Sequence, residues 1–291
     1  MLKGAQKSSL RRYSNMTQRI ITGIILLAVF IPILIFSDTV IFTVAIALLS
    51  LIGVYEMLRC LKVHKSPAIA IPSLILDIGT PLGARLIPDS AAFAPWLFGI
   101  AVLYMFWLSA YCVIKRDTVA YSLISSVFMS VIYVTVGFTS LILLRDSDGG
   151  QYIFWLVFIG AWITDTMAYF TGFLFGRHKL IPEISPKKTV EGAIGGTLFA
   201  GLAYMLYGYI ISHITGIDMH ILMLFIAGII AAVVAQFGDL IASVIKRQSG
   251  IKDYGNIFPG HGGILDRFDS IIALAPFLLM IHTAPFLYLI K

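Results

Sequence analysis

Long apolar runs broken by short polar stretches dominate the chain. Runs of membrane-spanning length fall at about 20–37, 39–58, 93–114, 119–143, 152–175, 190–212, 220–245 and 264–290. A hydrocarbon core about 30 Å thick is crossed by about 20 helical residues, so each run predicts one crossing helix. A ninth run, 68–87, is weaker, because Pro72, Asp77, Gly79 and Pro81 interrupt it. Helix breakers at that depth are tolerated only where neighbouring helices or water satisfy the freed backbone groups. Asp77 then lies near mid-bilayer, where an ionisable residue is a functional suspect by default. A buried, hydrogen-bonded carboxyl is the simpler account of it.

Charge placement decides whether the weak run crosses. With nine spans and the N-terminus inside, 18 of the 21 Lys and Arg fall on the inner side, leaving Arg85, Arg145 and Lys291 outside. Omitting the weak run flips everything after it and gives 11 inside against 10 outside. The positive-inside rule therefore selects nine spans, N-terminus in and C-terminus out. Lys3, Lys7, Arg11, Arg12 and Arg19 precede the first run as a signal n-region would. The run from Ile20 to Phe36 is long for a cleaved segment and lacks a small-x-small site, so a retained first helix is expected.

Composition agrees: 59% of the 291 residues are hydrophobic and 12% charged, against roughly a quarter charged in soluble domains. The expected fold is all-α and polytopic. It divides into a basic segment (1–19), N-terminal transmembrane helices (20–145) and a C-terminal transmembrane catalytic region (146–291). The net charge of +6 lies between apolar runs, so membrane topology accounts for it and a nucleic-acid partner is not expected. Cys60 and Cys112 have no metal or redox spacing and read as free thiols.

Polar residues inside an apolar chain are costly, and here they cluster in the second half. In GAWITDTMAYFTGFLFGRHKLIPEISPKK (160–188), Asp165 lies within an apolar helix and shares a face with Tyr169, Gly172 and Gly176. Thr189 is an expected N-cap with Glu191 in the first turn, and Lys187 and Lys188 beside that terminus suit an anion. In QFGDLIASVIKR (236–247), Gln236, Asp239, Ser243 and Lys246 form a polar stripe that must face protein or water. In KDYGNIFPGHGGILDRFD (252–269), glycines surround His261, and Asp266 and Asp269 lie on one face near a helix start. Carboxylates so close call for a cation between them, and hard oxygen donors beside phosphate-binding loops suit Mg²⁺.

The run SVIKRQSGIKDYGNIFPGHGGILDRFD (243–269) resembles the pattern S-x-x-K-R, four residues, K-D-x-G, then P-x-H-G-G-x-x-D-R-x-D of the phosphatidate cytidylyltransferases. Every fixed position of that pattern is filled. The stretch TDTMAYFTGFLFGRHKL followed by SPKKTVEG is also similar to the family, so the resemblance covers about 110 residues. It departs at Ala242, where many relatives carry a glutamate.

The resemblance implies attack by the phosphate of phosphatidic acid on the α-phosphorus of CTP, giving CDP-diacylglycerol and pyrophosphate. It implies catalytic Asp239, Asp266, Asp269, Lys246 and Arg267, with Asp239, Asp266 and Asp269 holding Mg²⁺ and room for a second cation. Substrates would meet Asp165, Lys187, Lys188, Ser243, Arg247, Lys252, Asp253, His261, Gly262 and Gly263. The expected setting is the plasma (cytoplasmic) membrane, with the site facing the cytoplasm, CTP and phosphatidic acid as partners, and a homodimer left open. Competing readings are another CTP-dependent lipid enzyme, such as a polyprenol kinase, or an ion-coupled transporter using Asp77, Asp165 and Asp239.

Overall fold

The computed structural model describes residues 23, 28–87, 90–257, 262–284 and 289–290. Lys3, Lys7, Arg11, Arg12, Arg19 and His261 lie outside them, as does most of the first apolar run. Its remainder is helical over 28–35 (α1). The other helices are α2 (Val40–Cys60), α3 (Pro67–Leu86), α4 (Ser90–Ile114), α5 (Tyr121–Asp146), the one-turn α6 (Gly150–Ile153), α7 (Trp155–Phe175), α8 (Val190–Thr215), α9 (Ile221–Gln248) and α10 (Leu265–Thr283).

Seven helices among the described residues are long and apolar enough to cross a bilayer: α2, α3, α4, α5, α6–α7 taken together, α8 and α9. The chain is therefore an integral membrane protein. The expected nine differ from these seven at two places. The first run falls largely outside the described residues, and α10 carries Asp266, Arg267 and Asp269 within its first five positions, leaving a shorter uncharged stretch. The weak run is a helix throughout, with Pro72 and Pro81 inside it.

α5 and α10 pack together at the centre, with α2 and α3 against α5 on one side and the α7–α8–α9 row on the other. The inward face of α5 (Val127, Val131, Val134, Phe138, Leu141) is wholly buried, and the Phe138 and Phe268 rings meet at 5.4 Å. In lipid, apolar burial drives no helix association, so close packing and hydrogen bonds must do it. On the α7–α8 seam a Cβ on Gly192 would stand 2.6 Å from the Ala168 carbonyl oxygen and 3.3 Å from Gly172 Cα. Tyr204 and Tyr207 on α8 donate to the carbonyls of Leu156 and Tyr152, at 2.7 and 2.6 Å.

Asp77 does the same work on the other side. It is fully buried, and its Oδ1 accepts hydroxyl bonds from Ser50 on α2 at 2.6 Å and Thr135 on α5 at 2.7 Å. It is thus the hydrogen-bonded structural carboxyl of the simpler reading.

One departure from an all-α chain lies between α7 and α8. Pro182 and Pro186 break helical continuation there, and β1 (Lys179–Ile181) pairs antiparallel with β2 (Ser185–Thr189). Lys179 faces Thr189 and Ile181 faces Ser185 across an irregular register. The end of the bundle bearing this hairpin also holds the α2–α3, α4–α5 and α9–α10 connections. It carries 13 of the 15 described Lys and Arg. At the opposite end Arg85 pairs with Asp146 and with the Asp38 carbonyl, and Arg145 donates to Ser37 Oγ at 2.9 Å.

If Asp77 only ties helices, Asp77→Ala strands the Ser50 and Thr135 hydroxyls and costs about 1–3 kcal/mol. Thermal unfolding in detergent should show that loss, while turnover per folded molecule stays at the wild-type value.

Candidate functional site

Elements from four regions converge at the basic end. Thr189 caps α8 as expected, its Oγ1 accepting the Gly192 N–H at 3.1 Å. Glu191 turns back over the preceding loop, taking the amides of Arg177 (3.1 Å) and His178 (3.2 Å) and His178 Nδ1 (2.7 Å). This ties the hairpin to the start of α8 and swings β2 across α9. Lys188 Nζ then meets Asp239 Oδ2 at 2.5 Å.

α9 and α10 approach closely at the same level. A Cβ on Gly238 would fall 2.8 Å from the Asp269 carbonyl oxygen, which brings Asp239 beside the first turn of α10. Asp269 accepts the Ser270 N–H at 2.8 Å. It lies within electrostatic reach of Asp239, Asp165 and Lys246, while Asp165 feels Asp239, Lys188 and Arg267. Three carboxylates from α7, α9 and α10 are therefore gathered with Lys188 and Arg267 among them.

Asp266 has a different neighbourhood. Lys246 Nζ donates to its Oδ1 at 2.8 Å, and the amides of Tyr254 and Gly263 donate to its Oδ2 at 2.8 and 2.9 Å. Both partners of the pair are buried, with side chains 11% and 4% exposed. This carboxylate closes the loop between α9 and α10. Lys246 also stands 5.3 Å from the centre of the Tyr254 ring, a cation–π distance. Burial raises the Tyr254 hydroxyl well above the ordinary tyrosine range, so it remains a neutral donor to the Ala242 carbonyl at 3.0 Å. Ala242 itself is packed and 5% exposed.

A cavity of about 480 Å³ opens beside the carboxylate group, between α7, α8, α9 and the hairpin. Asp165, Tyr169, Lys179, Lys187, Lys188 and Gln236 line it. Three lysines and a helix N-terminus around one cavity are chemistry suited to an anion of phosphate type. The remaining expected residues are not part of that lining. Ser243 is half-buried on α9, and Arg247, Lys252 and Asp253 are exposed at its end and in the following loop. Gly262 carries a positive φ of 86° and packs against Asp266.

The carboxylates suit a hard cation by donor type, with Lys188 supplying the compensating positive charge on Asp239. Among the described residues no three acidic, histidine or cysteine side chains already close on a single point.

Sequence reasoning missed Lys179, which lines the cavity, and a buried acid. Glu56, near the end of α2, is 1% exposed and accepts the backbone N–H groups of Ile264 (3.1 Å) and Leu265 (3.0 Å). The available signal was a single acid inside an otherwise apolar run.

The sequence pattern of the cytidylyltransferase family matches residues 17–284. The chain is similar to the phosphatidate cytidylyltransferase of Staphylococcus haemolyticus, 36% identical over 267 residues that cover 90% of this chain and 97% of the relative. The Staphylococcus aureus protein of the same name is 37% identical over the same coverage, and that of Staphylococcus epidermidis 36% over 274 residues, spanning its whole length. On this breadth of agreement, the chain belongs to the cytidylyltransferase family.

Proposed function

We propose that this protein transfers the cytidylyl group of CTP to phosphatidic acid, giving CDP-diacylglycerol and pyrophosphate for phospholipid synthesis. The observation that carries the reading is the lysine-lined cavity set directly against the Asp165, Asp239 and Asp269 group at one end of an apolar bundle. A nucleotide triphosphate needs cations and amide donors. A lipid phosphate needs a site at headgroup depth. This end of the molecule offers both, and the names of the relatives specify the pairing.

The phosphate monoester of phosphatidic acid is already an anionic nucleophile, so the reaction needs charge compensation more than a strong base. Lys179, Lys187 and Lys188 offset phosphate charge in the cavity, and Arg267 offers a further cation beside Asp165. A divalent ion, Mg²⁺ by donor chemistry, would be held by Asp239 and Asp269 with Asp165 completing the set, and would supply Lewis-acid stabilisation of the transferring phosphoryl group. Room for a second ion follows from the number of carboxylates. Asp266 and Lys246 hold the loop that carries Lys252, Asp253, Gly262 and Gly263 toward the nucleotide.

The orientation proposed is nine spans with the N-terminus and the active end in the cytoplasm of the plasma membrane. The excess of Lys and Arg at that end supports it, since cytoplasmic loops accumulate them. Phosphatidic acid would enter sideways from the inner leaflet, keeping its acyl chains in lipid. A homodimer remains compatible with the apolar outer faces of α4 and α8.

Purified protein given CTP, phosphatidic acid and Mg²⁺ should release pyrophosphate and form CDP-diacylglycerol, and should release none with chelator in place of Mg²⁺. Release with other lipid phosphates, but not phosphatidic acid, would replace the substrate named here. Asp239→Asn and Asp269→Asn should each lower turnover about a hundredfold or more while thermal unfolding stays near wild type. Asp266→Asn should behave differently. It leaves the buried Lys246 ammonium without its carboxylate, and the melting measurement should record a loss of about 3–5 kcal/mol.

A further inference from the structure

The loop that closes the site draws part of its support from the other half of the chain. Glu56 belongs to α2, 208 residues before Ile264, yet each of its carboxylate oxygens accepts one backbone N–H from the start of α10. Ile264 is the N-cap of α10 and provides no side-chain acceptor of its own. The first amides of a helix have no partner within it, and the helix start carries partial positive charge that favours an anion. Glu56 is thus the cap of α10 supplied by another helix, with Arg59 within electrostatic reach to balance it.

The loop backbone closes directly on this carboxylate. A Cβ on Gly255 or on Gly263 would come within 2.2 Å of Glu56 Oε1. The neighbouring Asp266 takes the Tyr254 and Gly263 amides. Between them, two acids hold both ends of the segment from Tyr254 to Leu265. Asp77, also buried and acidic, makes a useful contrast: its partners are side chains of α2 and α5 in the bundle core. Glu56 grips the main chain immediately before Arg267 and Asp269.

We propose that Glu56 is a positioning residue for the transfer site: its carboxylate fixes the first turn of α10 and so sets where Arg267 and Asp269 stand relative to Asp239 and Asp165. The catalytic consequence rests on the proposed function. The clasp itself does not.

The test uses the full-length protein in detergent or lipid nanodiscs. In Glu56→Gln, hydrogen exchange across residues 249–268 should accelerate while α2 and α5 exchange as in wild type. With CTP and phosphatidic acid, kcat should fall about tenfold or more and KM for CTP should rise. Gly255→Ala alone should also lower activity, because its methyl meets the carboxylate. In a Glu56→Ala background the same change should cost little further, a non-additivity expected of groups in contact. Unchanged exchange in 249–268, or additive losses in the double variant, would overturn the clasp. Uniformly faster exchange in every helix, with activity falling only as the folded fraction falls, would reduce Glu56 to plain stabilisation and overturn the positioning role. Wild-type protein that releases no pyrophosphate would remove the proposed function, and the exchange experiment would still judge the clasp.

Discussion

A carboxylate taken into a lipid-solvated bundle must be compensated within the bundle, because no water is at hand to do it. The chain meets that requirement differently at each acid. Asp77 is answered by two hydroxyls, Glu56 by two amides, and Asp266 by a lysine and two amides. Asp239 is answered by a lysine from a different element, and Asp165 and Asp269 have other carboxylates among their charged neighbours. The sequence of increasing imbalance runs from the core to the cavity. Glu56 and Asp266 have both carboxylate oxygens bonded and act as fasteners. Asp77 keeps one oxygen without a partner, and the group that holds like charges together is the kind of place where functional chemistry concentrates.

That division also separates where each member of the carboxylate group sits on its helix. α7 delivers Asp165 from within its apolar run, α9 delivers Asp239 about two turns before its end, and α10 delivers Asp269 just past its first turn. The hairpin between α7 and α8 carries lysines inward over these acids. A rigid scaffold with its polar groups at one face permits an aqueous nucleotide and a membrane lipid to meet without either leaving its own solvent.

Much of this was readable along the chain. Apolar run lengths located the helices, and charge asymmetry called for the proline-interrupted segment that the structure makes helical. Thr189 and Glu191 marked the start of α8 through local capping chemistry, which depends on residues a few positions apart. The hairpin was not legible, since five residues around Pro186 carry no apolar alternation. Nor were the different partners of Asp266 and Asp269. Three-residue spacing puts both on one helix face, and only the returning loop, with Lys246 and Tyr254, claims the first of them. Glu56 was illegible for the same reason in stronger form: everything it bonds lies in the last helix. Local pattern reports on neighbours in sequence, and the decisive partners here are neighbours only in space.

The distance along the chain between Glu56 and its amides bears on how the protein is made. At roughly 5–20 residues per second of synthesis, the acid emerges some 10–40 s before the start of α10 exists to receive it. Throughout that interval α2 resides in the bilayer with an acidic side chain near its end and Arg59, Lys62 and Lys65 close by in sequence. Its place near the membrane border, rather than at mid-depth, lets headgroups and water serve as temporary hosts. The last described helix is then the one that receives an acid made some two hundred residues earlier, so packing of α10 and closure of the loop before it become a single event.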